Sequence, residues 1–153
     1  MSSAKNTMVV KKLVVITGPL AGGKSTAAVA IGKYLRRKGQ VTAVVDLDDM
    51  YLIGKQKNDD RWDEPAVWSA ARRACGALAG SFFSSCYDVV VVEGGDFKTN
   101  EELRELRACI QPNVDIRHFT LVVSWEESYR RAKGDPNRHM SWFSVKWNFR
   151  IFK

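Results

Sequence analysis

The stretch GPLAGGKST, residues 18–26, decides how this chain folds. Before it stands the short β-branched run KKLVVIT, residues 11–17. After it, residues 24–38 carry apolar side chains at Ala27, Ala30, Ile31, Tyr34 and Leu35. The first run reads as a buried strand and the second as a helix, with Gly39 suited to its C′ position. Between them, Gly18, Gly23, Lys24 and Ser25 meet the spacing G-x-x-x-x-G-K-[ST], in the strand-to-helix context that the pattern requires. Glycines let main-chain amides turn inward around an anion, and a helix N-terminus adds the positive end of its dipole. Gly18, Pro19, Leu20, Ala21, Gly22, Gly23, Lys24, Ser25 and Thr26 are therefore expected to cradle a nucleoside triphosphate. Lys24 is placed to reach the β- and γ-phosphates, the Ser25 hydroxyl to ligate Mg²⁺, and Thr26 to touch the α-phosphate.

Working outward, strand-like and helix-like segments alternate. QVTAVVDLDD (residues 40–49) reads as a second strand ending among acids. Asp63, Glu64 and Pro65 open a helix well, with an N-cap candidate, an acid and a first-turn proline. Val67, Ala71, Ala74, Leu78 and Phe82 continue its stripe. The four valines of YDVVVVEGGD (residues 87–96) suggest a strand buried on both faces, as in a parallel sheet. Thr99 with Glu102 and Ser124 with Glu127 have capping-box spacing and announce two further helices. DIRHFTLVVS (residues 115–124) lies between them as a fourth strand. Residues 134–141 read as a loop, and residues 141–153 as a short aromatic helix. This alternation predicts an α/β fold of three layers: a mostly parallel sheet of four to five strands with helices on both faces and right-handed crossovers. One domain over residues 11–153, behind a flexible tail of residues 1–10, is the simplest organisation for 153 residues.

Two groups of acids stand at predicted strand ends, where parallel α/β sheets bind ligands. Asp46 and Asp48, two apart, share one face of an extended segment. Phosphoryl transfer needs one carboxylate to hold Mg²⁺ and another to orient or deprotonate the acceptor hydroxyl. Asp46 is assigned the first role and Asp48 the second. The competing reading is a solvated acidic turn that caps the next segment and leaves Asp49 exposed. Glu93, ending the third strand, can bind Mg²⁺ through water or position a nucleophile, with Asp96 as second choice. Alternatively, Glu93 caps a helix or pairs with a basic residue.

GPLAGGKST together with DLDDMY (residues 46–51) is similar to the small P-loop kinases of the nucleoside-monophosphate-kinase-like group. These include shikimate, gluconate and adenylylsulfate kinases and chloramphenicol phosphotransferase. The resemblance follows the element order of nearly the whole chain. It implies ATP- and Mg²⁺-dependent phosphorylation of a small-molecule hydroxyl. Glu93 then resembles the Walker B position. RRAKGDPNRHMSW (residues 130–142) resembles the lid, at about residues 134–142. In such lids an arginine closes over the triphosphate and stabilises charge on the transferring phosphoryl. Arg138 is the first candidate and Arg131 the next, with Arg130 preceding them and His139 read as a loop residue. The competing reading is a basic helix end facing the C-terminal dipole.

The polar stretch between the second strand and the Asp63 helix is the acceptor side in the resembling kinases. Tyr51, Arg61, Trp62 and Trp68 are candidates for a wall with one cation, and packing residues are the alternative for the tryptophans. The group's fifth strand and last helix have no counterpart after the lid. There, Trp142, Phe143, Trp147, Phe149 and Phe152 suggest either a shortened chain or a segment that covers a sheet edge or joins a homodimer.

Composition sets the outer limits. Cys75, Cys86 and Cys109 are odd in number and widely spaced, which argues against a disulfide framework or zinc site and for a reducing cytoplasm. No apolar run approaches the roughly 18 residues of a membrane span. The net charge of +7 fits a protein that handles phosphates and also fits a nucleic-acid binder. Residues 130–153 hold seven Lys or Arg against one Asp. A small-molecule kinase is therefore the first expectation. A polynucleotide-end kinase or nucleotidase, with a nucleic acid as the less favoured partner, is one alternative. A nucleotide-binding switch or degenerate non-enzyme is the other.

Overall fold

The structure, a computed structural model, describes residues 10–54 and 65–134. The tail before residue 10, Arg61, Trp62, the Asp63–Glu64 helix start, the lid beyond Gly134 with Arg138 and His139, and the aromatic segment 141–153 lie outside the described residues.

Nine elements follow one another among the described residues. They are β1 (Lys12–Thr17), α1 (Lys24–Arg37), β2 (Thr42–Asp46), α2 (Leu47–Gly54), α3 (Pro65–Ser84), β3 (Val89–Glu93), α4 (Asn100–Arg107), β4 (Asp115–Thr120) and α5 (Trp125–Lys133). The four strands form one parallel sheet in the order β2-β3-β1-β4. Helices on both faces make this the expected three-layer α/β fold. Every residue of β3 is buried, as its valine run requires of a strand covered on both sides.

Side-chain alternation divides the interior in two. Leu13, Val15, Val90 and Val92 face α3, meeting Ala71, Cys75, Ala79 and Phe83. Ile16, Val89 and Val91 face the opposite way, onto Ala28 of α1. Full burial of a Leu or Phe side chain contributes about 1.5–3 kcal/mol. Phe83, Phe97, Leu13 and Ile16, each almost inaccessible, are thus the main apolar anchors of both layers.

Several local expectations shift by a turn or an edge. β2 stops at Asp46, and the residues expected to prolong it form α2, whose first turn holds Asp48 and Asp49. The buried residues of α1 are Ala28 and Gly32, flanked by Ile31 and Leu35, while Tyr34 is 59% exposed. The sheet claims the narrow small-residue side, because a side chain at position 32 would meet Val44 at 2.9 Å. Ala74, counted in the α3 stripe, is exposed, and the buried line runs instead through Gly76 and Gly80. Thr99 and Glu102 form the complete capping box of α4. Ser124 caps α5 through the Glu127 amide, but the Glu127 side chain turns elsewhere.

α3 and α4 touch backbone to helix. A Cβ on Gly76 would stand 2.2 Å from the Leu106 carbonyl oxygen, whereas one on Gly95 would meet nothing within 4 Å. Gly76→Ala should therefore destabilise the protein by about 1–3 kcal/mol in urea unfolding, and Gly95→Ala by less than about 0.5 kcal/mol. Equal midpoints for the two variants would contradict this packing.

Candidate functional site

β1 connects leftward in the sheet through α1 to β2, while β3 continues rightward past β1 to β4. The loops after β1 and β3 thus part at the carboxyl ends of adjacent strands, the position where open parallel sheets take ligands. The loop after β1 is residues 18–23.

Its backbone is bent inward at three points: Gly18 (φ 152°), Ala21 (φ 53°) and Gly23 (φ 92°). Gly18 has no room for a side chain, since a Cβ would lie 2.8 Å from the Leu121 carbonyl oxygen. Ala21 is the only described non-glycine residue with positive φ. Such strain costs on the order of 1 kcal/mol and collects at functional sites. The Gly22 amide donates to the Pro19 carbonyl at 3.0 Å and closes the turn.

α1 then starts from Gly23 with no side-chain cap and no acid in its first turn. The first helical hydrogen bond belongs to the Ala27 amide, which donates to Gly23 at 2.9 Å. The amides of Lys24, Ser25 and Thr26 come before it, at the positive end of the helix dipole. They border a cavity of ≈ 690 Å³ that also reaches Ala27 and Ala30 of α1 and Arg131 and Ala132 of α5. The Lys24 Nζ donates to the Pro19 carbonyl at 3.2 Å and so lies folded along the loop.

The acids gather on the α1 side. Asp46 and Glu93 are register partners on β2 and β3, so their side chains leave the same sheet face. The Ser25 side chain lies near Glu93 and favours its charged form. Burial pushes the Glu93 carboxyl up from its ordinary value. Asp46 and Asp48 push the same way, against Ser25 and the Lys24 charge. Among the described residues, no group of three or more His, Cys, Asp or Glu could hold a metal by itself. This donor set fits Mg²⁺, which favours one or two carboxylates supplemented by phosphate oxygens and water.

Asp48 is placed differently from the extended-segment expectation. It stands in the first turn of α2, and its amide donates to Asp46 Oδ1 at 2.8 Å. Asp46 therefore caps α2 as well as facing Glu93, and Asp48 is exposed at the helix start. Asp96 is drawn away from this cluster. It pairs with the buried guanidinium of Arg72, which also binds Glu105 at 2.6 Å, and Lys98 reaches Asp96 at 3.2 Å. Tyr51 is 4% exposed, and its ring stacks on Trp68 with centroids 4.1 Å apart. The two rings form a packed pair between α2 and α3 rather than an open wall.

Arg131 comes to the loop from α5. Its Nη1 lies 3.5 Å from where a Gly23 Cβ would stand. Two neighbouring contributions were not legible in the sequence. The fully buried Ser128 hydroxyl donates to the Leu20 carbonyl of the loop. Glu127 binds Arg130 and Arg131. No spacing rule singles out a helix-interior serine, and the capping-box pattern sent the Glu127 side chain toward the wrong partner.

Solved structures share this architecture. The chain is similar to a chain of the Pnkp1/Rnl/Hen1 RNA repair complex (TM-score 0.64, 18% identity, 99% of this chain and 47% of that one). It is similar to the APS kinase of Mycobacterium tuberculosis in complex with AMPPNP and APS (0.62, 19%, 83% and 69%). It is likewise similar to a gluconokinase from Sinorhizobium meliloti 1021 (0.61, 19%, 94% and 76%). The fold is that of the P-loop kinases. At these identities the likeness concerns the fold, and the chain spans about half the length of the RNA repair chain. No protein-family model matches the sequence, and no curated protein matches it. No helix among the described residues is long and apolar enough to cross a membrane.

Cys75 offers a reporter beneath the acids. Burial, then Asp46 and Asp48, push its thiol up to about 12, whereas Cys86 and Cys109 are exposed. Thiol titration of the native protein at pH 8 should find two reactive groups, with the third appearing on denaturation. Three fast-reacting native thiols would contradict the packing of α3 under this site.

Proposed function

We propose that this P-loop kinase fold carries a phosphotransferase that moves the terminal phosphoryl group of ATP to a hydroxyl of a small molecule. The observation that carries the reading is the meeting of a bent, uncapped phosphate cradle with the Asp46–Glu93–Ser25 cluster at adjacent strand ends.

In this reading the amides from Ala21 to Thr26, with Gly18 and Pro19 setting the entry of the loop and Leu20 its crest, surround the phosphates. Lys24 exchanges the Pro19 carbonyl for the β- and γ-phosphate oxygens, a more strongly charged partner. Ser25, Asp46 and Glu93 would hold Mg²⁺, which when bound neutralises charge on those oxygens. Asp48, exposed at the start of α2, orients the acceptor hydroxyl and takes its proton. Arg131 adds positive charge beside the loop, and Arg138 closes from the lid. Arg61 and Trp62 are assigned to the acceptor side. Catalysis here is mostly positioning and electrostatic stabilisation.

A second reading is favoured by the net charge of +7 and by the likeness, over 99% of this chain, to a member of an RNA repair complex. In it the acceptor is the end of a nucleic acid. Oligonucleotide affinity that falls steeply with salt supports that acceptor, and affinity that is weak at all salt concentrations supports the small molecule.

The test is transfer itself. Incubated with MgATP and a panel of hydroxylated metabolites, the protein should yield one phosphorylated product by mass spectrometry. Lys24→Met should abolish turnover. Asp48→Asn should keep ATP binding and lower transfer by about 10²–10⁴-fold. Transfer at the wild-type rate by Asp48→Asn would remove that residue from the mechanism.

A further inference from the structure

α5 meets the phosphate loop through Ser128 and Arg131, one turn apart on the helix. Ser128 is fully buried and donates to the Leu20 carbonyl, which fixes the helix to the loop. Beside it, the backbone amide of Glu127 is held by the Ser124 hydroxyl at 3.2 Å. The Glu127 carboxylate receives Arg130 through Nε and Nη2, both at 2.7 Å. Its Oε1 also accepts Arg131 Nε at 2.6 Å. The carboxylate is therefore set from its own backbone and from one arginine before it meets the second. Binding Arg131 through Nε leaves the planar fork of that guanidinium pointing onward, and Nη1 is the atom found beside Gly23. Glu127 itself does not border the cavity, whereas Arg131 does.

We propose that Glu127 is a positioning residue for the nucleotide site, holding the Arg131 guanidinium over the phosphate loop. The inference rests on the nucleotide-binding reading above and deepens it. An exposed arginine samples many rotamers, and ordering it at the moment of binding opposes affinity. A guanidinium already aimed at the loop avoids that loss. The hydrogen bonds from Arg130 and Arg131 hold the Glu127 carboxyl at about 2, so it is ionised at any working pH. An ion pair that merely decorates the surface of α5 would stabilise the helix slightly and leave ligand affinity alone.

The two roles separate in a double-mutant cycle read by calorimetric MgATP affinity. Glu127→Gln and Arg131→Ala should each weaken binding by about tenfold. The double variant should bind no more weakly than Arg131→Ala alone, because Glu127 acts only through Arg131. Wild-type affinity in Glu127→Gln overturns the proposal, as does an equal loss from that substitution in the Arg131→Ala background. A wild-type protein that binds no MgATP fails at the earlier step, and both readings fall together.

Discussion

The physical constraint on which the structure depends is a helix that begins without a cap. α1 starts from a glycine in the left-handed region, with no side chain to satisfy its amides and no acid to neutralise its dipole. Other helices of this chain carry a capping side chain instead, α4 through Thr99 and Glu102 and α5 through Ser124. A helix start of this kind favours an anion at its N-terminus. The bent backbone of residues 18–23 has the same logic, since Ala21 accepts a conformation that its side chain disfavours.

The rest of the site balances that positive pole. Asp46 and Glu93 leave the same sheet face at matched register, with Ser25 at the helix start near Glu93. Crowding carboxylates into a buried corner raises the cost of ionising Glu93, and a divalent cation held there would offset it. The Lys24 ammonium provides part of that offset within the chain itself. α5 closes the other side, joined to the loop crest through Ser128 and carrying Arg131 beside Gly23.

What the sequence revealed depended on how local each signal was. The glycine loop between β1 and α1, the buried valine strand and the α4 capping box rest on residues close in sequence, and each element lies where its pattern placed it. The three-layer fold followed from their alternation. Asp48 shifted because Asp46 ends β2 and caps α2 at once, and a D-x-D spacing is compatible with both a strand end and a helix start. The α1 stripe rotated because Gly32 allows the sheet to approach, a preference that hydrophobic periodicity does not weigh. Tyr51 fell into the core through Trp68, a partner 17 residues away. Ser128 carries no sequence signal, since its meaning lies in a contact across 108 residues.

Whether the amides after β1 enclose a triphosphate is decided by a crystal structure grown with Mg²⁺ and a non-hydrolysable ATP analogue. It should show phosphate oxygens ringed by the amides of residues 22–26, Lys24 withdrawn from the Pro19 carbonyl toward them, and the ion beside Ser25. An analogue seated elsewhere on the protein, with Lys24 still on Pro19 and the loop empty at saturating concentration, would contradict that enclosure.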